Sequence, residues 1–266
     1  MDGPVIPRLR VFAGPNGSGK STIYSLLLAR GAFHPVHYVN PDDLQELLSN
    51  GVPVSYPFSN TEPIRELLRQ TSYYSQSGER DLEELSCIEG DLLSGVGLVS
   101  ADSTGGYLAA ALGEAIRSAG IKSGQSIGFE TVFSDRRKLD EIDAAREQGY
   151  RSYLYFVSTG DPEVNVSRVR DRVLEGGHDV PVDKILSRYG RAMALLPSAI
   201  PHFDRVFLFD NFVEYESARL VASITPRASP AVILEKPDFT VPDWMLPVLE
   251  PFALDVVRSS GRKKTG

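Results

Sequence analysis

Five short apolar stretches rich in β-branched and aromatic residues alternate with longer segments of helical periodicity along most of the chain. The apolar stretches are residues 9–13, 37–40, 126–131, 151–158 and 205–210. Alternation of short apolar runs with amphipathic segments is typical of β-α-β units, in which helices connect parallel strands. The pattern therefore predicts an α/β fold with a mostly parallel five-stranded sheet, flanked by helices on both faces.

Three helix starts are marked by residues that favour the first turn. Asn40 followed by Pro41, and Asp161 followed by Pro162, offer a side-chain cap and a proline at the first helical position. Ser134 is expected to cap the helix that precedes the fourth strand. These signals predict where three of the connecting helices begin.

Residues 52–124 contain no convincing central strand, and helical patterns cover 63–77, 79–93 and 106–119. Long insertions between sheet strands are commonly functional, so we expect a helical insertion that acts as a lid or on the substrate side. Residues 213–254 predict a hairpin around 226–230 followed by a short helix, and 255–266 read as a basic tail. The whole chain, 1–266, is then one domain with this insertion.

Composition narrows the choice of partners. The chain of 266 residues has a net charge of −7, which disfavours broad binding to nucleic acid or to an anionic membrane, although local basic patches remain open. Its single cysteine, Cys87, forms no internal disulfide. Because no leader and no membrane-length apolar run is visible, we expect a cytoplasmic protein.

The first predicted strand leads into a glycine-rich motif. Gly14, Gly19, Lys20 and Ser21 satisfy G-x-x-x-x-G-K-[ST] between a strand and an amphipathic helix, a context that disfavours a chance turn. In such loops the backbone amides and the helix N-terminus hold phosphates, the lysine bridges the β- and γ-phosphates, and the serine hydroxyl is a ligand of Mg²⁺. The predicted nucleotide-binding residues are Gly14, Asn16, Gly17, Ser18, Gly19, Lys20, Ser21 and Thr22.

Two carboxylates follow strands whose carboxyl ends should lie at the same sheet edge as this loop. Asp42 lies in the first turn of the helix after the second strand, and Glu130 ends the third strand. Asp42 could accept a proton from an attacking hydroxyl, or could simply complement the helix dipole. A glutamate at the end of an apolar strand is costly to bury without a cation or a hydroxyl nearby, which favours a functional Glu130.

Arginines lie on a predicted pair of helices over 161–196. Arg168 and Arg172 share one helical face, and Arg191 lies on the second helix beyond a Gly-Gly turn and His178. Arginines on a hinged helical pair could close over a triphosphate and stabilise charge in phosphoryl transfer, whereas a solvated surface is the commoner alternative. The functional alternative is favoured for Arg168 and Arg172, and the surface alternative for Arg170.

Together, "GPNGSGKST", "VNPDDL", "FETVFS" and "RVRDRVLEGGHDVPVDKILSRYGRAM" resemble the zeta-toxin family of P-loop kinases, over about residues 8–212. The resemblance implies Mg²⁺-dependent transfer of the γ-phosphoryl of ATP or GTP to a hydroxyl of a nucleotide-sugar such as UDP-N-acetylglucosamine, and an antitoxin as a protein partner. It implies that Asp42 is the base and that Arg168 or Arg172, with His178 or Arg191, occupies the arginine-bearing region that contacts phosphates. Glu130 resembles the acidic residue that holds the acceptor sugar, and Thr131, His178 and Arg191 are the other candidate substrate residues.

A different class of protein fits part of the pattern. "GPNGSGKST" is also common in ABC and recombination ATPases, and Asp210 ends a strand as a Walker B aspartate would. However, Asn211 stands where a hydrolytic carboxylate would follow, and the acidic net charge fits poorly with gripping a duplex. A passive nucleotide binder would explain neither Asp42 nor the arginines, so the kinase interpretation is preferred to both alternatives.

Overall fold

The computed structural model describes residues 5–34, 36–50, 54–55, 68, 70–71, 88–89, 96–99, 106–177, 179–212, 218–227, 231–234, 241–251 and 256–258. The chain divides into two compact units. Unit 1 comprises Met1–Pro35 and Thr131–Gly266, and unit 2 comprises Val36–Glu130.

Strands and helices alternate along the described residues, as the sequence predicts. The strands are β1 Arg8–Ala13, β2 His37–Val39, β3 Val54–Ser55, β4 Ile88–Glu89, β5 Val96–Val99, β6 Ile127–Thr131, β7 Arg151–Ser158, β8 Arg205–Asp210, β9 Arg219–Thr225, β10 Ala231–Leu234 and β11 Val256–Arg258. The helices are α1 Lys20–Ala29, α2 Pro41–Ser49, α3 Gly106–Lys122, α4 Arg137–Glu147, α5 Pro162–Leu174, α6 Val182–Ala199 and α7 Leu246–Leu249. Short 3₁₀ turns cover Ile200–His202 and Asp243–Met245.

In unit 1 six strands pair in the order β11-β10-β9-β8-β7-β1. β1 and β8 both pair with β7 in parallel, while β9 is antiparallel to β8 and to β10. β1 is buried on both faces, with Leu9, Val11 and Phe12 fully inaccessible to solvent. This fits the three consecutive apolar residues of its second half, Val11–Ala13, whereas Arg8 and Arg10 alternate with apolar residues in its first half.

In unit 2, β2 pairs with β6 in parallel, with Tyr38 opposite Gly128. β5 pairs with β3 and with β4 to form a separate antiparallel sheet of three short strands. Helix α3 packs its small residues inward: Ala115 and Ala119 are fully buried. The turn between β2 and α2 therefore follows one strand of this parallel pair, and Glu130 lies near the end of the other strand, β6.

All five strands predicted from the sequence are present, and the predicted hairpin is formed by β9 and β10. Two details differ, and part of one prediction lies outside the described residues. Residues 88–89 are a strand where a helix was predicted over 79–93, because a short apolar run has no distinctive period. The remainder of the helices predicted over 63–77 and 79–93 lies outside the described residues, apart from 68 and 70–71. Residues 256–258 of the predicted tail extend the sheet as β11, parallel to β10.

Two of the three predicted helix caps are observed. The Asp161 carboxylate accepts a hydrogen bond from the amide of Glu163 at 2.9 Å, and the Asn40 side chain accepts one from the amide of Asp42 at 3.1 Å. The prediction for Ser134 is wrong. Helix α4 begins later, and it is the Asp135 side chain that accepts from the amide of Arg137, at 3.0 Å. Both Ser and Asp are good caps, so sequence alone did not distinguish them.

Candidate functional site

The glycine-rich loop after β1 has a backbone that only glycine tolerates at its ends. Gly14 has a φ of 145°, and a Cβ there would lie 2.1 Å from the carbonyl oxygen of Val157. Gly19 has a φ of 93°, and a Cβ there would lie 2.5 Å from the side-chain nitrogen of Asn211. The two glycines therefore allow neighbouring strands to approach the loop closely.

Helix α1 starts immediately after the loop. The amide of Ile23 donates to the carbonyl of Gly19 at 3.0 Å and closes the first turn, so the preceding amides of the helix N-terminus remain available for an anion. The half-buried Lys20 folds back, and its Nζ donates to the carbonyl of Pro15 at 3.0 Å. Ser21 and Thr22 are exposed in this first turn. The loop thus places an ammonium group and exposed hydroxyls at one helix N-terminus.

Two asparagines from distant parts of unit 1 hold the loop from different sides. Asn165 on α5 is fully buried, and its side-chain nitrogen donates to the carbonyl of Asn16 at 2.5 Å. Its side-chain oxygen accepts from the hydroxyl of Thr159 at 2.5 Å. The side-chain nitrogen of Asn211, just after β8, donates to the carbonyl of Ser18 at 2.8 Å. We call these two residues the loop braces.

Side-chain atoms of the loop itself are oriented inward. Ser18 is fully buried and Asn16 nearly so, and the hydroxyl oxygen of Ser18 and the side-chain oxygen of Asn16 make no hydrogen bond within the described part of the chain. The amide of Ser18 donates to the carbonyl of Pro15 at 3.2 Å in a tight turn. A braced, glycine-opened turn at a helix N-terminus is what phosphate binding requires.

Asp210 occupies the end of β8, the position of a Walker B aspartate. One of its carboxylate oxygens accepts from the indole nitrogen of Trp244 at 3.1 Å, and the other lies 3.6 Å from a guanidinium nitrogen of Arg219. Both oxygens therefore have protein partners. The backbone amide of the next residue, Asn211, donates to the carbonyl of Ser158 at 2.8 Å, which fixes the position of the brace.

Thr131 lies at the end of β6. Its carbonyl accepts from the amide of Gly14 at 3.3 Å, and its hydroxyl oxygen accepts from the amide of Phe133 at 3.1 Å. Phe133 has a φ of 60°, an uncommon conformation for a non-glycine residue, and is almost fully buried. The turn after β6 is consequently anchored to the glycine-rich loop, with the threonine hydroxyl still able to donate.

The predicted arginine-bearing helices are α5 and α6, which are joined through a buried cluster of Val166, Val169, Val180 and Ile185. Arg168 and Arg172 are half-buried, whereas Arg170 and Arg191 are exposed. A Cβ on Gly177 would lie 2.6 Å from the Cγ of Arg172, so the glycine lets the turn pack on the arginine stem. His178 lies outside the described residues.

Unit 2 brings several carboxylates together at the carboxyl ends of β2 and β6. Glu130 is 7% exposed, and its carboxylate accepts a hydrogen bond from the Tyr38 hydroxyl at 2.5 Å. Burial, and then the charges of Glu130, Asp42 and Glu46, raise the pKa of Asp43. Asp42 itself is exposed in the first turn of α2. We call Asp42, Asp43 and Glu130 the carboxylate cluster.

No group of three or more histidine, cysteine, aspartate or glutamate side chains among the described residues could hold a metal ion. No helix in that part of the chain is long and apolar enough to cross a membrane.

Comparisons with known proteins place the fold. No family model matches the chain. An uncharacterized protein of Haemophilus influenzae is 31% identical over 67 residues, which are 24% of the chain and 48% of that relative. The native crystal structure of the AvrRxo1-ORF1:-ORF2 complex is 16% identical with a TM-score of 0.53, covering 85% of the chain and 60% of that one.

The crystal structure of AvrRxo1-ORF1:-ORF2 with ATP is similar at 17% identity and a TM-score of 0.51, covering 82% of the chain and 58% of that one. The chain thus spans less than two thirds of the length of each of these relatives. The parallel sheet, the glycine-rich loop and these structural neighbours define the class of fold: the chain has the P-loop NTPase fold.

Asn165 and Tyr38 were not predicted from the sequence, and Asn211 was predicted only to be the wrong residue for a hydrolase. The only signal for Asn165 was its place on the buried face of α5, between Val164 and Val166, where a polar residue needs a partner. Tyr38 carried no signal, because tyrosine is an ordinary strand residue.

Proposed function

We propose that this chain is a phosphotransferase that moves the γ-phosphoryl group of ATP or GTP to a hydroxyl of a small molecule, a nucleotide-sugar of the UDP-N-acetylglucosamine type. The observation that carries the proposal is the glycine-rich loop, which the two loop braces hold open at the N-terminus of α1. A neighbour of the same fold was crystallised with ATP, which supports a nucleotide as the donor.

On the donor side, the amides of the loop and of the first turn of α1 would bind the phosphates, and the Lys20 ammonium would leave the Pro15 carbonyl to bridge the β- and γ-phosphates. Ser21 would contribute its exposed hydroxyl to Mg²⁺. Mg²⁺, when bound with the nucleotide, supplies charge neutralisation at the β- and γ-phosphates. The exposure of Ser21 fits this role, since a buried hydroxyl would need to be uncovered first.

On the acceptor side, the carboxylate cluster would bind and activate the hydroxyl. The hydroxyl oxygen attacks the γ-phosphorus, the bond from that phosphorus to the β-γ bridging oxygen breaks, and the hydroxyl proton passes to Asp42. The nucleoside diphosphate leaves with the bridging oxygen. Glu130, oriented by Tyr38, would accept a hydrogen bond from another sugar hydroxyl, with Thr131 beside it.

The arginines of α5 would stabilise the charge that develops on the transferred group. Arg168 and Arg172 are half-buried on the same helix as the brace Asn165, and so their stems are held in place relative to the loop. Arg191 is exposed on α6 and would contact the nucleotide or the acceptor only when bound ligand draws it in. His178 belongs to the same proposal through the family resemblance alone.

The alternative of an ABC or recombination ATPase is less well supported. Such enzymes use a Walker B carboxylate beside the nucleotide, but both oxygens of Asp210 are engaged by Trp244 and Arg219. The following residue, Asn211, uses its amide as a loop brace and offers no carboxylate for activating water. The observed contacts therefore favour transfer to an organic hydroxyl over hydrolysis.

A protein partner forms part of the proposal. The structural neighbour AvrRxo1-ORF1 was crystallised in complex with ORF2, and the zeta-toxin resemblance implies an antitoxin. We accordingly propose that an antitoxin protein binds this chain. Co-expression with the product of an adjacent open reading frame should then relieve any growth inhibition that the chain causes, whereas relief by an unrelated protein would contradict the assignment.

The decisive experiment follows the label of γ-labelled ATP or GTP incubated with Mg²⁺, the protein and a panel of nucleotide-sugars. Label on a sugar supports the proposal, and inorganic phosphate released at a rate that no acceptor alters contradicts it. Lys20→Ala should weaken nucleotide binding and transfer together.

Asp42→Asn should abolish transfer while leaving nucleotide binding intact. Asp140→Asn is the matched control, because Asp140 is also an exposed aspartate in the first turn of a helix, α4. Transfer retained in Asp42→Asn, or lost equally in Asp140→Asn, would show that Asp42 is not the base.

A further inference from the structure

Arginines gather at the starts of the three parallel strands of unit 1, away from the glycine-rich loop. Strand register sets Arg8 beside Arg151, and sets Tyr153 between Arg10 and Arg205. Since residues two apart on a strand share a face of the sheet, all five side chains lie on one face. We call these five residues the arginine patch.

Arg10 is the buried centre of the patch. It is 6% exposed, and its guanidinium carbon lies 4.7 Å from the ring centre of Phe33 and 5.0 Å from that of Tyr153. Its Nε and Nη1 atoms make no hydrogen bond within the part of the chain that the structure describes. Aromatic rings stabilise a guanidinium from its faces, but they leave its in-plane donors unsatisfied.

Three arginines of the patch, Arg10, Arg151 and Arg205, form no ion pair among the described residues. Burial lowers the pKa of Arg10, the tyrosines Tyr155 and Tyr153 oppose that effect, and the positive charge of Arg8 adds to it. Arg151 and Arg205 are exposed, and neither forms an ion pair within the described residues. In a chain with a net charge of −7, these three arginines form a local region of positive charge.

We propose that the arginine patch binds a phosphate group, at a second site distinct from the glycine-rich loop. Arg8 precedes Gly14 by six residues along β1, which corresponds to about 20 Å of extended strand. Arginine is suited to phosphate because its planar donors bind two oxygens at once.

The size of the patch also fits a phosphate group. Three strands spaced about 4.8 Å apart set the arginines around an area about 10 Å across, enough for one or two phosphates. The phosphate can come from a free small molecule or from the end of a nucleic acid, and the test below includes both sources.

The test uses the full chain carrying Lys20→Ala, which removes the main phosphate ligand of the loop. Pyrophosphate binding is measured by calorimetry, and binding of a short 5′-phosphorylated DNA by fluorescence anisotropy. Arg151→Gln with Arg205→Gln should weaken the phosphate probe by at least about tenfold, because two charge-assisted contacts are lost. The charge-matched control, Arg136→Gln with Arg170→Gln, removes two other exposed arginines of unit 1 and should leave binding within about twofold.

The measurements are repeated with native Lys20 and saturating ATP, so that the result does not depend on the Lys20→Ala chain. Tighter binding of pyrophosphate indicates a free phosphate ligand, and tighter binding of the DNA indicates a nucleic-acid end. The proposal is overturned if neither probe binds, if the control pair loses as much affinity as the patch pair, or if hexaglutamate binds as tightly as pyrophosphate.

Discussion

The loop brace Asn165 allows a sharp test of how the glycine-rich loop is held. Asn165→Asp keeps the size of the side chain and keeps an oxygen that can accept from the hydroxyl of Thr159. It replaces the nitrogen that donates to the carbonyl of Asn16 with a second oxygen. Because the site is fully buried, the ionised carboxylate would face a carbonyl oxygen at close range without a cation.

The loss of folding free energy expected for Asn165→Asp can be estimated for two cases, in which the introduced carboxyl is either ionised or protonated. Leaving a buried charge without a partner costs about 3–5 kcal/mol. The introduced carboxyl can instead take up a proton and donate to Asn16. Holding a carboxyl with an unfolded pKa of about 3.9 neutral at pH 7 costs about 1.4 kcal/mol for each of about three pH units, or about 4 kcal/mol. The destabilisation at pH 7 should therefore be about 3–4 kcal/mol.

The pH dependence follows from the same protonation. The pKa of the introduced carboxyl is raised in the folded state, so the folded form is stabilised below the unfolded pKa and loses that stability as the pH rises towards the folded pKa. Relative to the wild type, the variant should melt about 10 °C lower at pH 7 and should approach the wild type near pH 4.

Thermal unfolding followed by circular dichroism from pH 4 to 7, with the wild type measured at each pH, gives the difference directly. Asn50→Asp is the control, since Asn50 is exposed and its difference from the wild type should stay small. A melting difference for Asn165→Asp that does not change with pH, or that equals the control, would refute the proposed buried donor role.

Three further predictions concern the loop and the carboxylate cluster. Asn211→Ala removes the hydrogen bond to the Ser18 carbonyl, which is worth about 1 kcal/mol. The variant should raise the KM for ATP several-fold in the transfer assay. A KM equal to that of the wild type would contradict a bracing role for Asn211. Gly14→Ala should abolish nucleotide binding in calorimetry, because its Cβ would lie 2.1 Å from the Val157 carbonyl oxygen. Asp43→Asn should raise the melting temperature at pH 7, because the raised pKa of Asp43 means that its charge opposes folding above the unfolded pKa. The gain in melting temperature should vanish below about pH 4, where Asp43 is protonated in both states. A gain that persists below that pH would contradict this explanation.

The fold and the glycine-rich loop were predictable because their signals are local. β1, the loop and α1 are contiguous, and the motif is defined together with its strand-to-helix context. The periodicity of β7 and β8 was equally visible, since each is a single apolar run. Capping by Asp161 and Asn40 was readable for the same reason: donor and acceptor are two residues apart.

What the sequence did not reveal depends on contacts between distant residues. Asn165 meets Asn16 across 149 residues, Asn211 meets Ser18 across 193, and Tyr38 meets Glu130 across 92. No periodic pattern marks such pairs, because each depends on how strands and helices pack. Glu130 was singled out as a carboxylate that is costly to bury, and it is buried, but its tyrosine partner follows only from the pairing of β2 with β6.

The arginine patch was hidden in the same way. Arg8 and Arg10 were visible as charges within an apolar strand, and Arg151 and Arg205 as charges at the starts of two others. Only the strand register shows that they share one face. The net charge disfavoured only broad binding to nucleic acid or to an anionic membrane and left local basic patches open, because an average over the chain does not detect a local patch of positive charge.

Trp244 gives this protein a built-in optical reporter. It is the single tryptophan of the chain, and its indole donates to Asp210 at the end of β8. The next residue is the brace Asn211, whose side chain donates to the Ser18 carbonyl of the glycine-rich loop. Indole emission responds to hydrogen bonding and to neighbouring charge, so occupancy of the loop should change the intrinsic fluorescence without any attached dye. Nucleotide affinity and the kinetics of association can thus be recorded on the unmodified chain in a stopped-flow instrument.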